Sequence, residues 1–267
     1  MATRIGIDVG GTFTDFILTR DGASPLLHKV LSTPADPSIA VVEGLVELGA
    51  MADPARSVEQ FAASIDTIVH GTTVTTNATL TGTGAKSALI TTEGVRDALE
   101  MRRGIREEQY NNAYTNVKPL VPRYLRIGVP GRLDRAGREL TSLSLSDVRR
   151  ALELFLQEGV EAVSICCMNS FANPAHERAA AALVREMMPD AYLTVSSELL
   201  PAIRFYDRLS TTALNSYVGP KLNHYLEQLV NRLRGIEFGG LLLIMQSNGG
   251  VMAPDIARRS AALTLLS

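Results

Sequence analysis

The segment RIGIDVGGTFTDFIL, residues 4–18, sets two glycines and a threonine between two runs of alternating apolar residues, with an aspartate on either side. Ile5, Ile7 and Val9 alternate with Gly6 and Asp8, the period of a half-buried strand, so Asp8 falls on the face opposite the three apolar residues. Past Gly10 and Gly11 the β-type composition resumes in TFTDFILTR. Two readings fit: a tight hairpin with a solvated aspartate, or a loop that holds a phosphate, because glycine lets backbone N–H groups close in on an anion. A P-loop is excluded, since no lysine follows these glycines, and a dinucleotide fingerprint is excluded, since the loop opens a second strand rather than a helix. A third form remains, the strand–DxGGT–strand hairpin. In it turn amides and a threonine hydroxyl face the phosphate, and the strand-end aspartate works near Mg²⁺, directly or through water. On these residues alone both readings stay open.

Working outward, PLLHKVLST reads as a third strand, which makes the opening a meander. Pro37–Met51 carries Ile39, Val42, Leu45, Val46 and Leu48 at helical spacing behind a proline suited to a helix start, and a shorter helix covers Pro54–Ser64. Then come a strand at IDTIVHGT, a helix at TTVTTNATL, a strand at AKSALITTE and a helix at GVRDALEM. Alternation at this pace specifies an α/β domain. Between about Arg102 and Gly137 the pattern loosens around Pro119, Pro122 and Pro130, and is read as an excursion or small subdomain. Regularity returns with a helix over Leu145–Glu158, a buried strand at VEAVSICCM, an alanine-rich helix at NPAHERAAAALVREMM and a strand at YLTVSSEL. A long helix from about Tyr206 to Leu233, the strand LLLIMQSNGG and an amphipathic tail complete the chain.

The 267 residues carry 26 basic and 28 acidic side chains, a net charge of −2, which gives no footprint for nucleic acid or an anionic membrane. The two cysteines, Cys166 and Cys167, are neighbours in an apolar run without the spacing of a metal site, and read as buried, reduced residues of a cytoplasmic chain. The first strand begins within a few residues of the N-terminus, leaving no room for a signal peptide, and no apolar run approaches the ~20 residues that span a bilayer.

Other candidates follow from local context. His70, between a strand and a helix, could polarise a carbonyl or a phosphate oxygen, with Thr72, Thr73 and Asn77 as nearby donors; it could equally satisfy loop backbone groups. Arg102, Arg103 and Arg106 could bind a carboxylate or phosphate, or form a solvated face balanced by Glu107 and Glu108. Ser247–Gly250, SNGG, ends an apolar strand as a ligand-facing loop or a plain turn. His28, His176 and His224 are isolated and read as structural, and RFYDRLSTT reads as a helix-surface ion-pair pattern.

The blocks IGIDVGGTFTDFIL, HGTTVTTNATL, SALITTEGVRDALEM, PLVPRYLR, NSFANPAHE, SSELLPAIRFYDRLSTTALNSYVGPKL and LLIMQSNGGVM together resemble the hydantoinase A/5-oxoprolinase family, which includes subunits of ATP-dependent ketone carboxylases. The resemblance runs in order from Arg4 to Ser267. It implies an actin/hexokinase-like (ribonuclease H-like) α/β ATPase fold, with ATP and Mg²⁺ as cofactors and carbonyl O-phosphorylation as the chemistry. In a lactam or cyclic ureide this makes C–N cleavage feasible; in a ketone it stores a carbanion equivalent for carboxylation. Carried onto this chain, it makes Asp8, His70, Thr72 and Thr73 catalytic candidates, with Asp8 also the metal ligand. Gly10, Gly11, Thr12, Thr14, Asn248, Gly249 and Gly250 become the nucleotide-binding candidates.

The family pattern continues past TLLS with a second DxGGT-type hairpin, whereas this sequence holds one. The expectation is therefore an incomplete second half: residues 1–180 as the N-terminal domain, 181–267 as the start of the hydantoinase A-type domain, and activity only with the missing part or a hydantoinase B-type partner. The substrate expected is a small cyclic amide such as a hydantoin or 5-oxoproline, or alternatively a ketone. A non-catalytic structural subunit is the third possibility.

Overall fold

The computed structural model describes residues 2–104 and 107–266. Contacts group the chain into two compact units, one built from residues up to Thr83 together with Lys221 onward, the other from Gly84–Pro220.

In the first unit the opening meander forms as the alternation requires: β1 (Thr3–Val9), β2 (Phe13–Arg20) and β3 (Leu26–Leu31) pair antiparallel in sequence order. Helix α1 (Pro37–Ala52) starts on Asp36, whose carboxylate accepts the Ser38 N–H at 3.1 Å, and α2 (Val58–Ala63) starts on a Ser57–Gln60 capping box. Strand β4 (Thr67–Thr72) then lies parallel to β1, and α3 (Val74–Leu80) leaves its end.

The second unit opens with β5 (Ser87–Thr92) and a single-turn α4 (Ala98–Met101). The looser stretch is not wholly irregular: β6 (Arg126–Val129) joins the main sheet parallel to β5, and β7 (Arg132–Leu133) pairs with β8 (Glu139–Thr141). Strand β6 lacks a sequence signal because it is only four residues long and begins with a buried arginine. Arg126 is 2% exposed and donates to Glu100 at 2.8 Å. Then follow α5 (Leu145–Gln157), β9 (Ala162–Cys166), α6 (Ala175–Met187), β10 (Tyr192–Val195) and the single-turn α7 (Ser196–Leu199). The strand expected at YLTVSSEL thus stops at Val195, where two serines turn the chain into a helix. The parallel order β10–β9–β5–β6 buries both faces of β5 and β9, with Ser87, Thr91 and Ser164 buried among their apolar residues.

Helix α8 (Phe205–Gly235) begins in the second unit and continues into the first, with Pro220 at the changeover. Strand β11 (Leu241–Met245) adds to β4 in parallel, followed by β12 (Val251–Met252) and α9 (Pro254–Arg259). The first unit's sheet therefore runs β12–β11–β4–β1–β2–β3, with β1, β4 and β11 parallel.

One face of that sheet carries Ile5, Ile7, Val9, Phe16, Ile68 and Ile244, all buried, with α1 packed on it and Tyr225 of α8 reaching His70 on the same face. Gly44 of α1 lies directly on Phe16, and Arg232 of α8 donates to Ser38 and Asp36 at the head of α1. The other face stays open, with Ile17, Leu27 and Leu31 exposed. No helix among the described residues is long and apolar enough to cross a membrane. Cys166 and Cys167 are free and buried, and burial pushes the Cys166 thiol up to about 11.

Candidate functional site

Because β1, β4 and β11 are parallel, the segments that leave their C-terminal ends emerge along one edge of the sheet: the Gly10–Thr12 bend, the Thr73–Asn77 turn into α3, and the Ser247–Gly250 turn. Sequence positions near 10, 73 and 248 are brought side by side, with the third two strand spacings, roughly 10 Å, from the first. An α/β sheet generally receives ligands at this edge.

Asp8 sits opposite Gly71 in the parallel register and is exposed on the open face, as the strand alternation requires. A Cβ on Gly71 would lie 3.4 Å from Asp8 Oδ1, so the glycine keeps space beside the carboxylate. Across β2 and β3 the same row continues with Asp15 and Lys29, whose side chains pair at 2.8 Å. A cavity of about 780 Å³ opens over this row, lined by Asp8, Asp15, Lys29, Ile17, Gly71 and Met245 among others.

The hairpin bend is fastened from behind. Gly10 N–H donates to the Phe13 carbonyl at 3.0 Å, and the Gly10 carbonyl accepts from Ser32 Oγ at 2.8 Å. Ser32 N–H donates to the Thr12 carbonyl at 2.9 Å, and Ser32 Oγ shares a hydrogen bond with Thr14 Oγ1 at 3.0 Å. Gly11 and Thr12 are left at the exposed tip, where their N–H groups meet no acceptor among the described residues. Thr14 is fully buried behind the bend, beside Val9, and its hydroxyl is taken by Ser32. Ser32 is thus a site residue that sequence reasoning missed, since a lone serine at the end of a meander strand carries no mark of the loop it will hold.

Thr73 ties the second segment to the first: its N–H and its hydroxyl both donate to the Val9 carbonyl at 3.1 Å, while Asn77 Nδ2 donates to Thr73 Oγ1 at 3.2 Å. The Asn77 amide lies 3.9 Å from where a Cβ on Gly11 would sit. The third segment is a compact turn. Gln246 N–H donates to Gly250 O and Gly250 N–H to Asn248 Oδ1, both at 2.8 Å, and Gly249 takes φ 83°, which glycine tolerates without strain.

His70 lies elsewhere. It falls inside β4, in register with Ile7 rather than Asp8, fully buried on the opposite face of the sheet. Its Nε2 is 2.7 Å from the Tyr225 hydroxyl, and burial lowers its pKa to about 4, so the ring is neutral at pH 7. Thr72 is buried on the same face. The structure therefore gathers Asp8, Gly10, Gly11, Thr12, Thr73, Asn248, Gly249 and Gly250 along one edge, and sets His70, Thr72 and Thr14 behind it.

The arginines belong to the second unit: Arg103 pairs with Asp207 at 2.6 Å, Arg102 pairs with Glu107 at 2.5 Å, and Arg106 lies outside the described residues. The isolated histidines find local partners or solvent. His28 meets Glu47 at 2.9 Å, His176 is buried near Glu139, and His224 is exposed.

Residues 4–188 match the family described as hydantoinase/oxoprolinase N-terminal region, and residues 208–267 match hydantoinase/oxoprolinase. The caprolactamase subunit alpha of Pseudomonas jessenii is 37% identical over 267 residues, covering 99% of this chain and 38% of that protein. The acetophenone carboxylase gamma subunit of Aromatoleum aromaticum is 33% identical, covering 97% of this chain and 37% of that protein. The 5-oxoprolinase of Saccharomyces cerevisiae is 27% identical over 299 residues, which are 23% of its length. The crystal structure of the ATP-dependent caprolactamase from P. jessenii matches 98% of this chain with a TM-score of 0.90 at 36% identity, over 38% of its own chain. The nucleotide-free acetone carboxylase matches with a TM-score of 0.85 at 23% identity, a likeness of fold. The architecture is the actin/hexokinase-like α/β fold, and the chain spans well under half the length of these relatives.

Proposed function

The chain belongs to the hydantoinase/oxoprolinase family, and from that premise we propose that it is the ATP-binding portion of an ATP-dependent amidohydrolase that opens a lactam, hydantoin or 5-oxoproline ring. The observation that carries this reading is the single edge on which an exposed Asp8, the glycine bend and the two further turns converge. Gly11 and Thr12 present N–H groups at the tip for phosphate oxygens, and Gly11 carries no side chain that would hold an anion away. Asp8 fits a Mg²⁺ ligand: it is a hard oxygen donor, exposed, with Gly71 keeping space beside it. Among the described residues no group of three or more acidic, histidine or cysteine side chains could hold a metal, so a cation at Asp8 would share its shell with phosphate and water. ATP supplies the phosphoryl group that makes the carbonyl carbon electrophilic. The protein's part is to hold the phosphates by backbone N–H groups, to place Asp8 at the cation, and to keep the Thr73 and Asn248–Gly250 segments in register beside them.

A second reading, a subunit of an ATP-dependent ketone carboxylase, is favoured by the 33% identity to the acetophenone carboxylase gamma subunit across nearly the whole chain. In either case the working enzyme is a cytoplasmic hetero-oligomer with a hydantoinase B-type subunit, a reading supported by relatives that are themselves named as subunits.

Phosphate release from Mg-ATP by the chain, alone and with its partner, tests the proposal in the presence of a lactam, a hydantoin, 5-oxoproline, or a ketone with bicarbonate. Release that needs a cyclic amide supports the first reading; release that needs ketone and bicarbonate replaces it with the second. Asp8→Ala is expected to abolish release with the fold intact, and retained activity would remove Asp8 from the reaction.

A further inference from the structure

Behind the edge, three buried polar side chains join two distant parts of the first unit. Tyr225 on α8 sets its hydroxyl 2.7 Å from His70 Nε2, with the two rings 5.7 Å apart. The same hydroxyl hydrogen-bonds the Thr72 side chain. His70 and Thr72 are fully buried and Tyr225 is 4% exposed. Thr72 Oγ1 in turn accepts the Val74 N–H at 3.3 Å, at the first residue of α3. Thr73 between them holds the Val9 carbonyl, one residue before the glycine bend. Hydrogen bonds joined through the backbone of residues 72–74 therefore lead from α8, through the end of β4, to the root of the hairpin.

Packing alone does not call for this arrangement. A phenylalanine at 225 and an aliphatic residue at 70 would fill the same space without burying a phenol and an imidazole, each of which costs free energy to desolvate. Burial keeps His70 neutral, so it offers no charge to the site. His70 Nδ1 has no hydrogen-bond partner, which leaves Nε2 and the Tyr225 hydroxyl as the contact that orients the ring. What the His70–Tyr225 contact adds over an apolar pair is a single geometry for the ring.

We propose that Tyr225 is a positioning residue for the candidate nucleotide edge: by gripping His70 and Thr72 it fixes the direction in which the chain leaves β4, and with it Thr73 and the root of the Gly10–Thr12 bend. The effect on turnover rests on the ATP-dependent function proposed above; the effect on the β4–α3 junction does not.

The test uses the assembled enzyme and five forms: wild type, Tyr225→Phe, His70→Leu, the double variant of these two, and His70→Gln, whose amide can occupy the place of Nε2. Amide hydrogen exchange at Thr72–Thr75, measured without nucleotide, is expected to quicken in Tyr225→Phe and His70→Leu, to stay near wild type in His70→Gln, and to be unchanged in β5 and β9. For Mg-ATP-dependent phosphate release, kcat is expected to fall about tenfold in the first two variants with KM for ATP within about twofold. The double variant Tyr225→Phe/His70→Leu should lose no more than either single one. Unchanged exchange at the junction overturns the proposal, as does quickened exchange with an unchanged kcat. Quickening spread evenly over the first unit, or no recovery in His70→Gln, assigns the pair to general stability and overturns it too. If wild type releases no phosphate with any substrate, the functional reading fails, and the exchange measurement alone decides the positioning role.

Discussion

Glu177 is fully buried in the second unit and holds three donors: Cys167 N–H at 2.7 Å, Ser196 Oγ at 2.6 Å and Ser197 N–H at 2.8 Å. On the other side of the same peptide region, Arg208, equally buried, donates to the Cys167 carbonyl, with Phe171 and Phe205 flanking its guanidinium. Both side chains thus hold the peptide of Cys167, the residue just past β9, and removing Glu177 leaves three buried donors without an acceptor. Glu177→Ala is expected to cost about 3–5 kcal/mol in urea denaturation, and Glu177→Gln less, because the amide oxygen keeps an acceptor for some of the donors. His70 makes a different prediction at the same scale. Its pKa is about 4 in the fold against 6.5 for the unperturbed group. Between those values the unfolded chain takes up a proton that the folded chain refuses, so stability falls as pH falls through that window. The loss approaches about 3 kcal/mol below pH 4. Urea midpoints at pH 7 and pH 4.5 should differ less in His70→Gln than in wild type. Asp8 was legible because strand alternation alone assigns its face, whereas Ser32 and Tyr225 were not, because each acts on residues far away in sequence.

Among the elements, α1 meets the sheet at a glycine. A Cβ on Gly44 would stand 2.2 Å from Phe16 Cζ, in the middle of a buried ring. Elsewhere in a helix, Gly→Ala gains up to about 1 kcal/mol; here the collision reverses the sign. Gly44→Ala is expected to destabilise by about 1–3 kcal/mol, read as a lower urea midpoint, with Phe16→Leu in the same chain recovering part of it. The long periodic elements α1, α5, α6 and α8 and the alternating strands of the meander followed from hydrophobic period. The strands that did not, β6, β7, β8 and β12, are two to four residues long and owe their existence to a neighbour's unpaired edge. The site's elements were readable for the same reason: a strand ending in glycines announces its own loop. That three such loops share one edge was not readable, because it depends on which strands lie side by side.

At the scale of the molecule, the sheet of the first unit is finished on one face only. Its edge strand β3 presents Leu27 and Leu31, 69% and 68% exposed, with Lys29 between them as the one charge on that face of the strand. A flat, apolar edge is a template for pairing with another chain. The double substitution Leu27→Lys/Leu31→Lys is expected to suppress concentration-dependent light scattering of the chain on its own, while the urea midpoint moves by less than about 0.5 kcal/mol in free-energy terms. Equal scattering in both forms would place the association elsewhere.

The insertion of Gly84–Pro220 between β4 and β11 also sets a timetable for synthesis on the ribosome. The segment up to Thr83 is made with β4 as a bare edge, and the strand that will cover it, β11, follows only after the whole of Gly84–Pro220. The second unit is continuous and can close on itself while the first still waits. The candidate edge therefore cannot exist until β11 has docked, and β4 waits uncovered while the whole of the inserted unit is made.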